Sequence, residues 1–545
     1  MSPWPQPVAP LHPLTLSAIV AALPLALLLV LMGLARKSGL VSAAWGLIGA
    51  GILAIGVWGM PVKLAVASIA FGAVYGLWPI MWIVVAALWL YNLAIATGQF
   101  VLLQRWMMEH ASGDRRIQVI LVAFAFGALL EGTAGFGAPV AVAAYLLLGL
   151  GFTAAEAVTV CLIANTAPVA FGGLGIPIVA LAAVTGLNLN QLSSMAGRQV
   201  PFLSLLLPGY LVWVVAKGRG LRETWPAALV AGASFALTQF LVSNLWGPYA
   251  ADILAALASI LALVLFLRIW KPRPNGSPVP RGKSSVERPS HSEHAPAAPS
   301  GLSTRQVLEA WAPWILLSIV MVAWSYLKLL SKGQFLVAVP YLNNGVFITL
   351  YQKSYAAVYV FQPLAAGTAA FTTVLLTALI FAVRPRLFLA SGPRTLRQVR
   401  QPILTVVTIV GLAYLYNYSG MAYTLGAALA ALGWLFPLAS GFLGWMACFL
   451  SGSDTASNLL FGNLQVAAAH QLGLNPVLLA ATNSSGAVTG KMVSPQNVAV
   501  GVTTVGLVGQ EGNVVRSTFW HSLLFAGGLS VLAFAQAYWL KWMVP

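Results

Sequence analysis

Charge is what this sequence has least of. Only 7% of its 545 residues are Asp, Glu, Lys or Arg, against about 25% in a soluble globular domain, and a water-facing surface cannot be built from so few. Acidic residues are scarcer still at 11, so any that falls inside an apolar stretch needs a reason. The two cysteines, Cys161 and Cys448, lie far apart in apolar sequence, which excludes a disulfide framework or a thiolate zinc site and leaves two small buried hydrophobes. The six histidines (His12, His110, His291, His294, His470 and His521) have no metal-ligand spacing with paired carboxylates or thiols. A Gly-x-x-x-x-Gly-Lys-Ser/Thr loop is missing, so the chain has no ATP-binding loop and is not expected to power transport by itself. No nucleophile–base pair is visible, so an enzyme is not expected, and no cofactor beyond a coupling proton is called for.

What fills the chain instead is apolar: 59% of the residues are hydrophobic. Runs near or above the roughly 20 residues that cross a bilayer recur from 16 to 542 with short polar gaps, giving 12 to 14 spans. The expected fold class is an all-α polytopic membrane protein. The formal net charge of +17 sits in interhelical loops, at Arg36-Lys37, 105–116, 217–222, 268–288 and 384–400, and never forms a continuous basic face. A nucleic-acid partner is therefore excluded, and the positive-inside tendency places all five clusters in the cytoplasm. The opening run 16–35 lacks a basic n-region and ends in Arg36-Lys37, which reads as a first span with an outward N-terminus. Between 58 and 104 the count stays open, because 61–78 fits a full span, a re-entrant segment or an interfacial helix. Oligomerisation is left open too.

One stretch, 271–303, is rich in Pro, Ser, Gly and Arg and reads as a disordered basic cytoplasmic linker. It divides an N-terminal transmembrane half, 1–270, from a C-terminal half, 304–545. The halves share a pattern: Asn165-Thr-Ala-Pro-Val-Ala-Phe-Gly172-Gly-Leu-Gly-Ile-Pro177 aligns with Asn483-Ser-Ser-Gly-Ala-Val-Thr-Gly490-Lys-Met-Val-Ser-Pro495, with Asn, Gly and Pro at identical offsets. Upstream, Glu131-Gly-Thr133 lies against Ser451-Gly-Ser453, and Asn92 against Asn417. A duplication follows, and inverted repeats with broken or re-entrant helices at the bilayer midplane are the arrangement that secondary transporters use.

Eight of the acidic residues, Glu109, Asp114, Glu223, Asp252, Glu287, Glu293, Glu309 and Glu511, fall in or beside predicted loops. Glu156 follows Gly151-Phe-Thr153 and suits the first turn of a helix. Glu131 has no other charged residue between Arg116 and Glu156. Intramembrane carboxyls usually face a cavity and mark an ion path, and burial favours the neutral acid, which suits proton pickup. Asp454, in Ser451-Gly-Ser-Asp454-Thr-Ala-Ser-Asn458, reads either as a helix N-cap or as a second proton-coupling group. Lys491 is the cation of the second broken stretch; it can attract a carboxylate, pair with Glu131 or Asp454, or snorkel to the surface. Around them Gly132, Thr133, Asn165, Thr166, Ser453, Thr455, Asn458, Asn483, Ser484 and Ser485 supply amides, hydroxyls and free backbone N–H groups at helix breaks, where carboxylates bind. These form the candidate substrate site, with Glu131 and Asp454 as the proton-coupling pair.

The same segments closely resemble the bacterial lactate permease family. The resemblance runs through Gly76-Leu-Trp-Pro, Glu131-Gly-Thr-Ala-Gly-Phe-Gly-Ala-Pro139, Asn165-Thr-Ala-Pro-Val-Ala-Phe-Gly172, Gly197-Arg-Gln, Arg222-Glu-Thr-Trp-Pro226, Asn417-Tyr-Ser-Gly420, Gly452-Ser-Asp-Thr-Ala-Ser-Asn458 and Thr489-Gly-Lys-Met-Val-Ser-Pro495-Gln. It implies proton symport of L-lactate, with D-lactate or glycolate for some members, across the bacterial inner membrane. It also implies similarity to transporters with paired re-entrant hairpins and an elevator-like or rocking cycle. The linker after Lys271 and the 337–361 region depart from the family pattern and put loop detail and substrate preference in question. The alternatives are a carrier preferring glycolate or another small monocarboxylate, and a passive anion channel.

Overall fold

A computed structural model describes residues 3–111, 113–135, 138–272 and 301–545. Most of the expected linker, 273–300, lies outside the described residues. Among these, ten helical segments are long and apolar enough to cross a membrane, fewer than the 12 to 14 expected. Part of the shortfall arises at 138–185 and 454–504, where Gly, Pro and polar residues divide the chain into helices of 10 to 19 residues, and part because Leu189–Leu245 counts once although it reverses at Lys217.

The first span is Leu14–Gly33. The ambiguous 61–78 segment opens a single kinked span: helices Val62–Tyr75 and Trp82–Ala96 meet at Gly76–Met81, where Trp78 leaves helical geometry (φ −134°, ψ 122°) and Pro79 has no N–H to donate. Gln99–His110 follows as a short helix that buries Phe100, Leu103 and Met107 along one stripe. Within Val200–Leu245 the chain reverses at Lys217 (φ 57°, ψ −166°), giving two antiparallel helices. They touch so closely that a Cβ on Gly232 would lie 2.3 Å from the Leu205 carbonyl oxygen. A small β cap interrupts the helical fold: Phe335–Ala338 pairs antiparallel with Val358–Phe361, and Val346–Ile348 pairs with Trp4–Pro5 and Lys353–Ser354. The cap holds much of the region that departs from the family pattern.

Each half contributes a helical hairpin followed by a broken helix. In the first, Arg115–Thr133 is followed by Ala138–Gly149, which packs back along Val119–Phe126. Ala154–Ala164 then begins at a capping box formed by Thr153 and Glu156, breaks at 165–171 and resumes as Gly172–Thr185. In the second, Phe436–Ser451 turns at Gly452 into Asp454–Leu472, and Pro476–Gly490 breaks at 491–494 before Pro495–Thr504.

The two units are inverted. Glu156, at the start of the first broken helix, binds Arg115 at 3.0 Å, so this unit's hairpin returns to the basic face where it began. His470, at the end of the second hairpin, packs on Tyr351 of the β cap at 4.9 Å, on the face opposite. Halves of the broken helices then cross over: Gly172–Thr185 packs on Asp454–Leu472, and Pro495–Thr504 packs on Ala138–Gly149 and Ala154–Ala164. The aligned Gly172/Gly490 and Thr133/Ser453 positions both fall at breaks. The third match does not extend to environment, because Asn92 donates to Thr395 and Gln398 while Asn417 donates to the Val184 carbonyl.

Candidate functional site

A carboxylate and an ammonium from opposite units meet where the breaks converge. Glu131, in the last turn before the first hairpin's tip, accepts a 2.6 Å hydrogen bond on Oε1 from Lys491 Nζ, at the break of the second unit. Its Oε2 accepts from Asn165 Nδ2 at 2.9 Å, at the break of the first unit. Glu131 is 3% exposed and Lys491 8%. Lys491 therefore pairs with Glu131 and does not snorkel. Two features of the first break make room for this. Gly173, Leu174 and Gly175 all have positive φ (53°, 61° and 73°), which carries the chain around the carboxylate. A Cβ on Gly172 would stand 2.8 Å from Glu131 Oε1, so only glycine lets the pair form as it stands.

Asp454 does not cap its helix, because Ser453 holds that position and accepts from the Ala456 N–H at 3.2 Å. Asp454 is buried, with Oδ2 accepting from Ser484 Oγ at 2.8 Å and Oδ1 without a hydrogen-bond partner among the described residues. It interacts electrostatically with both Lys491 and Glu131.

The neutral residues divide into two sets. Asn483 is fully engaged: Nδ2 donates to Asn458 Oδ1 at 2.9 Å, and Oδ1 accepts from Gln465 Nε2 at 2.9 Å. Asn458 Nδ2 donates to the Pro177 carbonyl of the other unit at 3.1 Å. These amides hold the units in register, and Gln465, absent from the expected set, anchors them through Ser440. Thr133 Oγ1 turns back to the Leu129 and Leu130 carbonyls, Gly132 packs against Asp252 and Ile253, and Thr455 is half-buried. By contrast, Thr166 Oγ1 and Ser485 Oγ are buried without a hydrogen-bond partner among the described residues. Buried polar atoms are nearly always satisfied in native proteins, so these two hydroxyls and Asp454 Oδ1 mark the edge of a polar site.

Asp252 lies beside the loop 246–250, as the sequence reading has it, but deep inside the protein, which that reading does not anticipate. It occupies the first turn of Ala251–Ile269, is 1% exposed and interacts electrostatically with Glu131 and Lys491. Glu156 has the role expected of it, in a capping box. Among the described residues no group of three or more His, Cys, Asp or Glu side chains is placed to hold a metal ion. Two cavities lie apart from these charges: one of about 260 Å³ beside Glu156, Val214 and Gln510 on the basic face, and one of about 300 Å³ beside Tyr75, Val179, Ala182 and Tyr249 towards the β cap.

Inverted hairpins, discontinuous helices and a buried charged centre are features that membrane transporters share. The family described as L-lactate permease matches residues 17–540, and the chain belongs to that family. Glycolate permease GlcA of Escherichia coli (strain K12) is 42% identical over 99% of this chain and 99% of its own length. The L-lactate permease of Bacillus subtilis (strain 168) is 41% identical over 99% of this chain and 100% of its own. Among solved structures, MtrF of Neisseria gonorrhoeae aligns with 94% of this chain and 97% of its own at 11% identity and a TM-score of 0.48. With ten candidate spans, the chain is a multi-pass protein of the bacterial inner membrane.

Proposed function

We propose that this chain carries a small 2-hydroxy monocarboxylate, L-lactate together with D-lactate and glycolate, across the inner membrane by proton symport. The names of its full-length relatives support the cargo class. The observation that carries the mechanism is the Glu131–Lys491 contact, which ties the two inverted units to each other with a neutral pair. A substrate carboxylate entering this region needs the Lys491 ammonium, and leaving either anion unpaired there costs several kcal/mol. A proton on Glu131 resolves the competition: the neutral acid releases Lys491, the ammonium takes the substrate carboxylate, and the centre stays neutral. Asp454, with one oxygen unpartnered among the described residues, is the second group suited to a proton. Thr166 and Ser485 offer hydroxyls for the substrate's 2-hydroxyl group, and Asn165, freed from Glu131, offers an amide donor. Gly132, Thr133, Ser453, Thr455, Asn458, Asn483 and Ser484 shape and orient this site.

The test is uptake by purified protein in liposomes under an imposed inward proton gradient, with labelled L-lactate, D-lactate, glycolate, pyruvate and acetate. Symport predicts accumulation above the outside concentration and alkalinisation of the medium. Equilibration without accumulation indicates a passive channel. Equal uptake of pyruvate and acetate contradicts recognition of the hydroxyl.

A further inference from the structure

Asp252 lies outside the pair just described, yet its surroundings are built for a proton. It is 1% exposed at the start of Ala251–Ile269. Its Oδ1 accepts from Gln239 Nε2 at 2.9 Å, while Oδ2 has no hydrogen-bond partner among the described residues. The Gln239 amide cannot be flipped to serve differently. Its nitrogen also donates, at 3.2 Å, to the Ala167 carbonyl, which can only accept, and its oxygen accepts from Ser204 Oγ at 2.8 Å. Asp252 is thus fixed by one neutral N–H, with no cation in hydrogen-bond contact among the described residues. An ionised carboxylate so placed is costly, whereas a carboxylic acid with its proton on Oδ2 suits the site.

The neighbourhood connects this acid to the transport centre. Gly132, next to Glu131, packs on it so closely that a Cβ there would lie 3.1 Å from Asp252 Cβ. Ala167, which shares Gln239 with Asp252, is in the same break as Asn165, the partner of Glu131 Oε2. Tyr249, three residues earlier, lines the cavity on the β-cap side. The charged groups whose field reaches Asp252 are Glu131 and Lys491. Of the two helices within Val200–Leu245, the one after Lys217 reaches Asp252 through the Gln239 amide, and the one before it braces that amide through Ser204. Gly172–Thr185 and Val119–Phe126, also packed nearby, hold no charged residue, and Arg305 and Glu309 of Thr304–Tyr326 pair with each other.

We propose that Asp252 delivers the proton to Glu131 from the β-cap side, a role that rests on the symport reading above. When the substrate carboxylate takes Lys491, the O–H bond at Asp252 Oδ2 breaks and an O–H bond forms on Glu131, through water. The Asp252 carboxylate is then reprotonated by a hydronium ion that reaches the Tyr249 cavity from the outer solution, which leaves water. The net result is one proton entering with one anion.

The test compares wild type, Asp252→Asn and Asp252→Glu, each purified and reconstituted, using labelled glycolate and L-lactate. Two readouts are taken: accumulation driven by a pH gradient, and exchange of labelled for unlabelled substrate at equal pH, in which Glu131 keeps its proton. Asp252→Asn is expected to lose accumulation by about tenfold or more while retaining exchange. If Asp252→Asn loses both, recovery of accumulation in Asp252→Glu, with a shifted pH optimum, supports proton delivery, and failure of both variants overturns it. Accumulation by Asp252→Asn with the pH dependence of wild type also overturns it. Absence of gradient-driven accumulation in wild type rejects symport itself and is thereby distinguished from failure of the Asp252 proposal.

Discussion

At the scale of single residues, the centre depends on one buried ion pair and on the glycine that admits it. Removing one member of a buried pair strands the other charge at a cost of about 3–5 kcal/mol, whereas removing both is far milder. Lys491→Met is therefore expected to lower the thermal midpoint of the detergent-purified protein, and Lys491→Met with Glu131→Gln to restore most of it without restoring uptake. Tryptophan fluorescence on heating reads the first and liposome uptake the second. Gly172→Ala places a methyl 2.8 Å from Glu131 Oε1 and should abolish gradient-driven uptake while the protein still purifies as a single species; wild-type uptake contradicts the geometry. Glu131 and Lys491 are legible in the sequence because each is an isolated charge in apolar surroundings. Asp252 is not, because the loop-like sequence just before it hides that its helix begins inside the protein. Nor does the sequence reveal that Asn483 and Asn458 spend their hydrogen bonds on each other and on Pro177, a matter decided by tertiary packing.

At the scale of elements, the second unit is held by backbone contact through small residues. A Cβ on Gly486 would lie 2.0 Å from the Gly441 carbonyl oxygen, and one on Gly444 would lie 2.0 Å from that of Asn483. Close approach of this kind is how helices associate where no hydrophobic effect separates protein from lipid. Gly486→Ala should therefore force Pro476–Gly490 away from Phe436–Ser451 and lower both folded yield and thermal midpoint. Gly527→Ala, where nothing lies within 4 Å, should leave both unchanged; equal effects of the two contradict the packing. The breaks themselves are legible as Gly and Pro at matching offsets. The span count is not, since hydropathy does not distinguish a crossing helix from two arms that turn back. The β cap escapes a reading of the sequence because its strands are only two to four residues long.

At the scale of the whole molecule, inversion puts equivalent features on opposite faces. A cysteine at Ala182, in the wall of the β-cap cavity, and one at Gln510, on the basic face, should react with a membrane-impermeant maleimide from opposite sides of oriented vesicles. Cys161 and Cys448 are buried and should stay unlabelled in wild type; labelling of both introduced cysteines from one side contradicts the topology. The halves can be aligned from sequence, but their inversion rests on contacts such as Glu156 with Arg115 and His470 with Tyr351, which join residues too distant along the chain for any local pattern to reveal. The most direct measurement is labelled L-lactate and glycolate uptake by reconstituted wild type and Glu131→Gln under an inward proton gradient. Wild type should concentrate substrate and Glu131→Gln should not; gradient-dependent accumulation by Glu131→Gln equal to that of wild type would contradict proton coupling through the Glu131–Lys491 pair.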